Sequence, residues 1–287
     1  MYYIVVVIYQ KKLDEIGSFI EMKNFCSRHS DTKIIVIDNS DRKDKTADDY
    51  LESVMHKNAN RHEDENENSD YLIYIENGKN IGLSKAYNIA IKIALNDLGK
   101  KDINDGWMLF CDDDTKFSEK YFEHSKDITD KCMYKNRRID IVTGLIDSGS
   151  RPLSPVKKYH MYNFKRNYIV KAGIYENAEC INSGMAIRLS TLCEVGGYDE
   201  ELFLDMTDHA LFFKLKNAGC GKVLVMNEHV VQNFSGRNEK NHAARMRRYQ
   251  IYKKDYMSFC HLTNRSRLYA FIEITKRRIG LELHRGV

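Results

Sequence analysis

Three consecutive aspartates, residues 112–114, close the stretch LFCDDD, whose first residues are apolar and typical of a buried strand. Like charges this close repel one another, and a buried carboxylate without a partner is strongly unfavourable. Alternate residues of a strand point to the same side, so Asp112 and Asp114 could face one ion or its waters. Carboxylate oxygens suit hard cations such as Mg²⁺ and Mn²⁺. The alternative interpretation is an acidic turn that caps a helix starting near Ser118.

A second pair of carboxylates, Asp205 and Asp208, lies in the stretch LFLDMTDHALFFKL. Their i, i+3 spacing predicts that both lie on one face near the N-terminus of a helix. A carboxylate placed there could take a proton from a hydroxyl group. The alternative is that Asp205 caps the helix and Asp208 only stabilises its first turn.

Apolar segments alternate with helical patterns in the first half of the chain. Buried strands are predicted at 2–9, 33–40, 71–77, 107–111 and 139–146. Helices are predicted at 13–28, 44–57 and 83–98, and a solvated loop at 58–70. This order predicts an α/β fold, a mostly parallel sheet with helices on both faces. Ligands bind beyond the carboxyl ends of such strands, so we expect the polar residues that follow them at one edge: Asp38, Asn39, Asn80, Gly82 and the acidic triplet.

The pattern changes after residue 150. Residues 151–178 are basic, aromatic and irregular, further strands are predicted at 183–189 and within 222–234, and 240–280 shows helical spacing. We therefore expect an α/β domain over 1–236 and a basic helical extension over 237–287.

The charge of the chain is unevenly distributed. Its net charge is +4, but residues 237–287 hold 13 Lys and Arg against 4 Asp and Glu, which gives +9 there and −5 in the remainder. The basic segments ARMRRYQIYKKDY and SRLYAFIEITKRRIG could bind an anionic lipid surface, or pack on the body with the basic face in water. No nucleic-acid-binding motif accompanies the charge, so we expect no nucleic-acid partner.

Other features bear on the compartment and on phosphate binding. No apolar stretch approaches the ~20 residues that span a bilayer, and residues 1–9 do not resemble a signal peptide. Seven scattered cysteines without a CxxC pair argue against a disulfide framework and a cysteine zinc site, so we expect a reducing cytoplasm. Neither GxxxxGK[ST] nor GxGxxG follows the first strand, so a bound nucleotide would need a cation to screen its phosphates.

Five stretches, taken together and in order, resemble the family 2 glycosyltransferases of GT-A fold, particularly the rhamnosyltransferase-like branch that builds bacterial surface polysaccharides. They are VVVIYQK, VIDNSD, NIGLSKAYNIAI, FCDDDT and NSGMAIRLSTLCEVGGYDEELFLDMTDHALFFKLKNAG, between residues 3 and 236. The resemblance implies an inverting, metal-dependent transferase. Its donor would be a UDP- or dTDP-linked sugar, and its acceptor a hydroxyl of a glycan or lipid-linked oligosaccharide. The enzyme would work in the cytoplasm, at the inner face of the membrane.

The resemblance also implies roles by position. Nucleotide-sugar contacts would come from Tyr9, Asp38, Asn80, Gly82, Lys85, Asp112 and Asp113. Asp114 would be the direct ligand of Mn²⁺ or Mg²⁺, with Asp112 nearer the ribose or the waters of the metal, while Asp113 could instead point away and hold the loop. Asp208 would be the catalytic base, and Gly184 and Met185 would line the acceptor side.

The chain departs from the family pattern at three positions. Thr207 stands where the family has Glu, so Asp205 could supply a second catalytic carboxylate. Lys214 replaces an Arg, which keeps the charge but loses the bidentate fork. Asn233 stands where many relatives have a metal-binding His, and His229 is either a substitute ligand or a structural strand residue.

Other functions are open at this level. A haloacid-dehalogenase-type phosphatase would need Thr or Val where Lys116 stands, and a sugar nucleotidyltransferase would need a Gly-rich basic loop after the first strand. A degenerate, non-catalytic scaffold or glycan-binding protein is the remaining alternative.

Overall fold

The computed structural model describes residues 1–41, 70–99, 103–134, 139–157, 167–232 and 241–283. The helix predicted at 44–57, the loop predicted at 58–70 except its last residue, and Asn233 lie outside the described residues.

The centre of the molecule is a mixed sheet, which has nine strands within the described residues. The strands are β1 Tyr2–Ile8, β2 Thr32–Asp38, β3 Leu72–Glu76, β4 Trp107–Asp112, β5 Ile141–Asp147, β6 Pro152–Ser154, β9 Gly173–Tyr175, β11 Met185–Arg188 and β12 Val223–Val231. Their order in the sheet is β3-β2-β1-β4-β11-β5-β12-β9, with β6 paired to β5. A smaller sheet consists of β7 Val156–Lys157, β8 Asn167–Tyr168 and β10 Ala178–Glu179.

Strands β1 to β4 run parallel, and their register decides where their ends meet. Ile8 pairs with Asp38, Asp38 with Glu76, and Val7 with Asp112. The carboxyl ends of the four strands therefore lie at one edge of the sheet, as predicted. Strand β11 runs antiparallel between β4 and β5, while β12 is parallel to β5.

Helices cover both faces of this sheet. They are α1 Phe19–Arg28, α2 Leu83–Leu98, α3 Glu119–Tyr134, α4 Leu189–Glu194 and α5 Thr207–Asn217, followed by α6 His242–Leu262 and α7 Arg267–Leu283. Alternate residues of β1 enter two different cores: Tyr3 and Val5 pack with α2, and Ile4 and Val6 pack with α1 and α3. Burial on both faces explains the unbroken apolar run of β1, and the α/β prediction is confirmed.

The first helix starts later than its apolar spacing predicts. Residues 13–15 form a short 3₁₀ turn, and α1 begins only at Phe19. Between them, Gly17 N–H donates to the carbonyl of Asp113 at 3.0 Å, and a Cβ on Gly17 would lie 3.1 Å from the carbonyl oxygen of Thr115. The segment around Gly17 therefore packs against the loop at residues 113–115 and holds its backbone in place.

The two C-terminal helices pack on each other through an aromatic core that contains Tyr249, Tyr252 and Tyr256. They also contact the body, because Phe259 of α6 packs on Leu202 and Ala210. The predicted helical extension is thus present. Among the described residues, no helix combines the length and the apolar character needed to cross a bilayer.

Tyr121 connects strand β5 with Gly184, the residue that precedes β11, and its replacement tests the packing near the edge of the sheet. Its hydroxyl donates to Gly184 O at 2.5 Å and accepts from Gly144 N at 3.0 Å. Tyr121→Phe leaves two buried backbone groups unpaired, so we expect the free energy of unfolding to fall by about 1–3 kcal/mol in urea denaturation.

The matched control is Tyr175→Phe, which removes a surface hydrogen bond to Lys171 O. We expect a change within about 0.5 kcal/mol. Equal losses in both variants would contradict a bridging role for Tyr121.

Candidate active site

A cavity of about 1120 Å³ lies at the carboxyl edge of the sheet. One side is formed by Tyr9, Asn39, Asn80 and Gly82, and its floor by the acidic triplet. The other side is formed by residues 203–209 with Asn182 and Gln232, and by three arginines, Arg151, Arg248 and Arg277.

The acidic triplet holds its charges at the end of the buried strand β4. Gln232 donates its side-chain N–H to Asp112 Oδ2 at 2.7 Å, and Lys11 pairs with Asp113 at 2.9 Å. Burial, followed by the charges of Asp114 and Asp113, raises the pKa of Asp112 from 3.8 to about 7. Ser118 lies at the start of α3, where its hydroxyl accepts from Tyr121 N at 3.3 Å. The helix end thus has a serine cap, and capping does not explain the triplet.

The triplet fits a hard divalent cation that is shared with a phosphate ligand. Among the described residues, no three His, Cys, Asp or Glu side chains converge closely enough to hold a metal ion by themselves. Mg²⁺-type ions are commonly bound by one or two carboxylates together with substrate phosphates. With Asp113 paired to Lys11, Asp112 and Asp114 are the two carboxylates suited to this task. A cation there would also relieve the repulsion that raises the pKa of Asp112.

Three of the residues predicted to contact the nucleotide, Tyr9, Asn80 and Gly82, line the cavity and belong to one hydrogen-bonded network. Tyr9 OH donates to Asp41, Asn80 N donates to the same carboxylate at 3.0 Å, and Gly82 N donates to Asn80 Oδ1 at 3.0 Å. Gly82 has φ +88°, and a Cβ there would lie 2.7 Å from the ring of Phe203. Only glycine therefore fits this turn.

Asp38 and Lys85 were predicted to contact the nucleotide, and the structure does not bring them into the cavity. Asp38 is buried, and its carboxylate accepts from Ser40 N at 2.9 Å and from Tyr74 OH at 2.6 Å. Lys85 is exposed on α2 and does not line the cavity. Asn39, beside Asp38, lines it instead and donates to Gly82 O at 3.2 Å.

The prediction that Asp205 and Asp208 share a helical face is wrong. Helix α5 begins at Thr207, and Met206 before it has φ +63°, a left-handed conformation that interrupts helical spacing. Asp208 lines the cavity from the first turn, and its charge contributes to the raised pKa of Asp112 after burial and the other two aspartates. Asp205 lies outside the helix in a two-pronged ion pair with Arg248.

Gly184 and Met185 do not reach the acceptor side of the cavity. Both are buried in the sheet, where Gly184 N donates to Phe110 O at 2.8 Å. Asn182 lines the cavity in their place. It donates to the hydroxyl of Thr207 at 3.1 Å and accepts from Tyr198 OH at 2.9 Å.

The structure also separates His229 from the predicted metal site. Side chains alternate along a strand, and His229 of β12 is exposed while Val230 is buried. Gln232, which sequence reasoning missed, reaches Asp112 instead. Lys214 does not line the cavity either, because its ammonium group donates to Gly197 O at 2.6 Å and supports that turn.

The C-terminal helices hold the loop that precedes Asp208. The fully buried carboxylate of Asp255, on α6, accepts from the backbone N–H groups of Phe203, Leu204 and Asp205 at 2.9, 2.8 and 2.8 Å. Arg277 of α7 lines the cavity and lies 3.7 Å from the ring centroid of Tyr252. Sequence reasoning treated these helices as an extension and missed this role.

Residues 3–172 match the family model described as "Glycosyl transferase family 2". The matched range contains the acidic triplet and the turn at Gly82, and it ends before Asp208. Comparison with curated proteins gave no match.

Solved structures of glycosyltransferases are similar to the chain. The crystal structure of GalNAc-T7 with UDP, GalNAc and Mn²⁺ has TM-score 0.55 and 15% identity, over 81% of this chain and 44% of that chain. S. aureus TarS 1–349 has TM-score 0.46 and 13% identity, over 89% and 64%. The mannosyltransferase PcManGT from Pyrobaculum calidifontis has TM-score 0.49 and 14% identity, over 99% and 70%.

These similarities differ in what they support. The chain spans less than half the length of GalNAc-T7, and at 15% identity that likeness establishes the fold alone. Together with the family match it confirms the predicted GT-A fold. The scores for TarS and PcManGT are too low to carry an argument.

We expect Asp255→Asn to loosen the loop at 203–205, because one accepting oxygen becomes a donor and at least one backbone N–H loses its partner. Amide hydrogen exchange in this loop should accelerate, and the free energy of unfolding should fall by about 1–3 kcal/mol. As a control, Asp199→Asn alters a surface carboxylate that accepts from Glu201 N. Unchanged exchange at 203–205 in Asp255→Asn would contradict the positioning role.

The raised pKa of Asp112 predicts how the metal-free protein responds to pH. The folded state binds this proton more tightly than the unfolded state, so between pH ~4 and ~7 rising pH removes stability, and the loss is complete above about 7. In the presence of a chelator, Asp112→Asn should therefore raise the melting temperature at pH 8, and much less at pH 5. A difference that is independent of pH would contradict this interpretation.

Proposed function

Because the chain belongs to glycosyl transferase family 2, we propose that it moves a sugar from a nucleoside-diphosphate donor to an acceptor hydroxyl, with inversion at the anomeric carbon. The observation that carries the proposal is that the acidic triplet and Asp208, which are far apart in the sequence, line one cavity. The triplet lies at the end of β4, and Asp208 lies close enough for its charge to raise the pKa of Asp112.

The donor would lie across the strand ends. Tyr9, Asn39, Asn80 and Gly82 line the part of the cavity beside β1, β2 and β3, which suits a nucleoside. The diphosphate would then reach Asp112 and Asp114, where bound Mn²⁺ or Mg²⁺ would neutralise charge on the departing nucleoside diphosphate. GalNAc-T7, which has the same fold, was crystallised with UDP and Mn²⁺, which supports these ligand classes.

Asp208 would act as the general base. It would take the proton of the acceptor hydroxyl while the hydroxyl oxygen bonds to the anomeric carbon and the bond from that carbon to the diphosphate oxygen breaks. Asp205 is held by Arg248, and Thr207 by Asn182, so Asp208 would do this without a second carboxylate beside it. One displacement from the opposite side inverts the carbon.

We further propose the setting of the reaction. The five resembling stretches support a rhamnosyltransferase-like enzyme of bacterial surface polysaccharide synthesis, using a UDP- or dTDP-linked hexose or deoxyhexose. The acceptor would be a glycan or lipid-linked oligosaccharide at the inner face of the membrane. Residues 1–236 would form the catalytic domain and 237–287 an extension that completes its cavity, since Arg248 and Arg277 line it.

We expect Asp114→Ala and Asp208→Asn each to reduce sugar transfer by at least about a hundredfold, for different reasons. Asp114→Ala should also weaken binding of UDP or dTDP in the presence of Mn²⁺, because it removes an anchor of the cation. Asp208→Asn should keep this binding and lower turnover by roughly 10²- to 10⁴-fold, the usual contribution of a general base.

Donor hydrolysis across a panel of nucleotide sugars, and calorimetry with the nucleoside diphosphates, would measure these effects, with the surface variant Asp199→Asn as control. Equal loss of nucleotide binding in both variants would refute the division of roles. A parent chain that neither hydrolyses nor binds any donor would refute the proposed function.

A further inference from the structure

Helix α7 exposes large apolar side chains along one side. Leu268, Phe271, Ile272 and Ile279 are 69%, 65%, 41% and 53% exposed. They are four of the twelve large apolar side chains that are exposed among the described residues. A helix turns about 100° per residue, so Leu268, Ile272 and Ile279 lie within about 40° of one another, and Phe271 extends the stripe to about 100°.

The opposite side of α7 packs on α6. Ala270 and Ile274 are buried against the tyrosines of α6, with Leu281 partly buried beside them. Tyr249 OH also donates to Ile274 O at 3.3 Å. The exposed stripe is therefore a second apolar face that no described residue covers.

Basic residues flank this stripe. Lys276 and Arg278 lie about 80° to either side of Leu268 on the helix, and both are exposed, as is Arg267 at its start. Lys276 also pairs with Glu273 at 2.7 Å, an exposed ion pair of the kind that contributes little and can exchange for a lipid phosphate. One acid, Glu282, lies within the angular range of the stripe near the end of the helix. An apolar stripe with an exposed lysine on one side and two exposed arginines on the other is typical of a helix that lies in the plane of an anionic bilayer surface. The helix is not apolar enough to cross the membrane.

We infer that the outer face of α7, formed by Leu268, Phe271, Ile272 and Ile279 with Lys276 and Arg278, docks on the surface of an anionic lipid bilayer. Charge complementarity favours this occupant over a second copy of the chain. Helix α7 carries four basic residues against two acidic ones, a net charge of +2, so two copies packed along α7 would bring like net charges together. Lipid phosphates would instead pair with the basic residues that flank the stripe while the apolar stripe enters the headgroup boundary.

Docking in this way also has a consequence for the cavity. Arg277 lies on the inner side of α7 and lines the cavity, although its neighbours in sequence belong to the outer flanks. The bilayer surface would thus lie one helix diameter from the cavity, within reach of an acceptor that is anchored in lipid. This consequence rests on the proposed function, whereas lipid binding itself does not.

Flotation of the full chain with vesicles tests the inference, using phosphatidylcholine alone and phosphatidylcholine mixed with phosphatidylglycerol. We expect binding to the mixed vesicles that weakens at high salt. Lys276→Gln and Arg278→Gln should each lower the partition coefficient about fivefold, and Phe271→Ser combined with Ile279→Ser should lower it at least about tenfold.

The matched control is Val170→Ser combined with Ile174→Ser, which removes apolar side chains of similar exposure, 60% and 48%, elsewhere on the surface. It should bind vesicles like the parent. Donor hydrolysis without vesicles should be unchanged in every variant, so failure of docking and failure of the proposed function are distinguishable.

Two outcomes would overturn the inference. One is binding that ignores phosphatidylglycerol or survives Phe271→Ser with Ile279→Ser. The other is a parent chain that ignores vesicles but forms a dimer that the same double variant dissociates, which would assign the face to a second copy.

Discussion

The repulsion among the carboxylates at the end of β4 is the constraint on which the site depends. Trp107 to Cys111 are fully buried, and the register of β4 with β1 fixes Asp112 at the strand end, partly buried and lining the cavity. Gln232 and Lys11 each stabilise one member of the triplet, yet the pKa of Asp112 is still raised to about 7. A cation bound there together with a ligand would relieve the repulsion further, which gives a physical reason for three acids at the end of a buried strand.

The acidic triplet alone does not complete the site, which also includes Asp208 on α5. In the proposed mechanism, a cation and a diphosphate at Asp112 and Asp114 require a proton acceptor that faces them. Asp208, which lines the same cavity from a segment nearly 100 residues further along the chain, would take that place. Its position depends on the left-handed turn at Met206 and on Asp255, which holds the preceding loop from α6. The C-terminal helices are therefore part of the architecture of the cavity, and α7 connects that cavity with an apolar outer face.

Sequence alone could predict the sheet and its polar edge, because strands buried on both faces are continuous apolar runs and parallel strands share an edge. It could not predict which side chain from another part of the chain forms a hydrogen bond or an ion pair with each polar residue of this edge. Tyr74, from another strand, binds Asp38, and Arg248, more than 40 residues away, binds Asp205. In β12 the pairing with β5 shifts register between Val225 and His229. Such a shift alters which side chains face inward, so Gln232 and not His229 meets the triplet.

The central claim is that the triplet holds a divalent cation jointly with a nucleoside diphosphate. Electron paramagnetic resonance can measure Mn²⁺ bound to the full chain with and without UDP or dTDP, after correction for Mn²⁺ bound by the nucleotide itself. Since the described residues offer only two carboxylates suited to the cation, Mn²⁺ should bind weakly alone and at least about tenfold more tightly with the nucleotide, a coupling of the usual size between linked ligands. Equal affinity in both conditions, or affinity that Asp114→Ala leaves intact, would contradict the account.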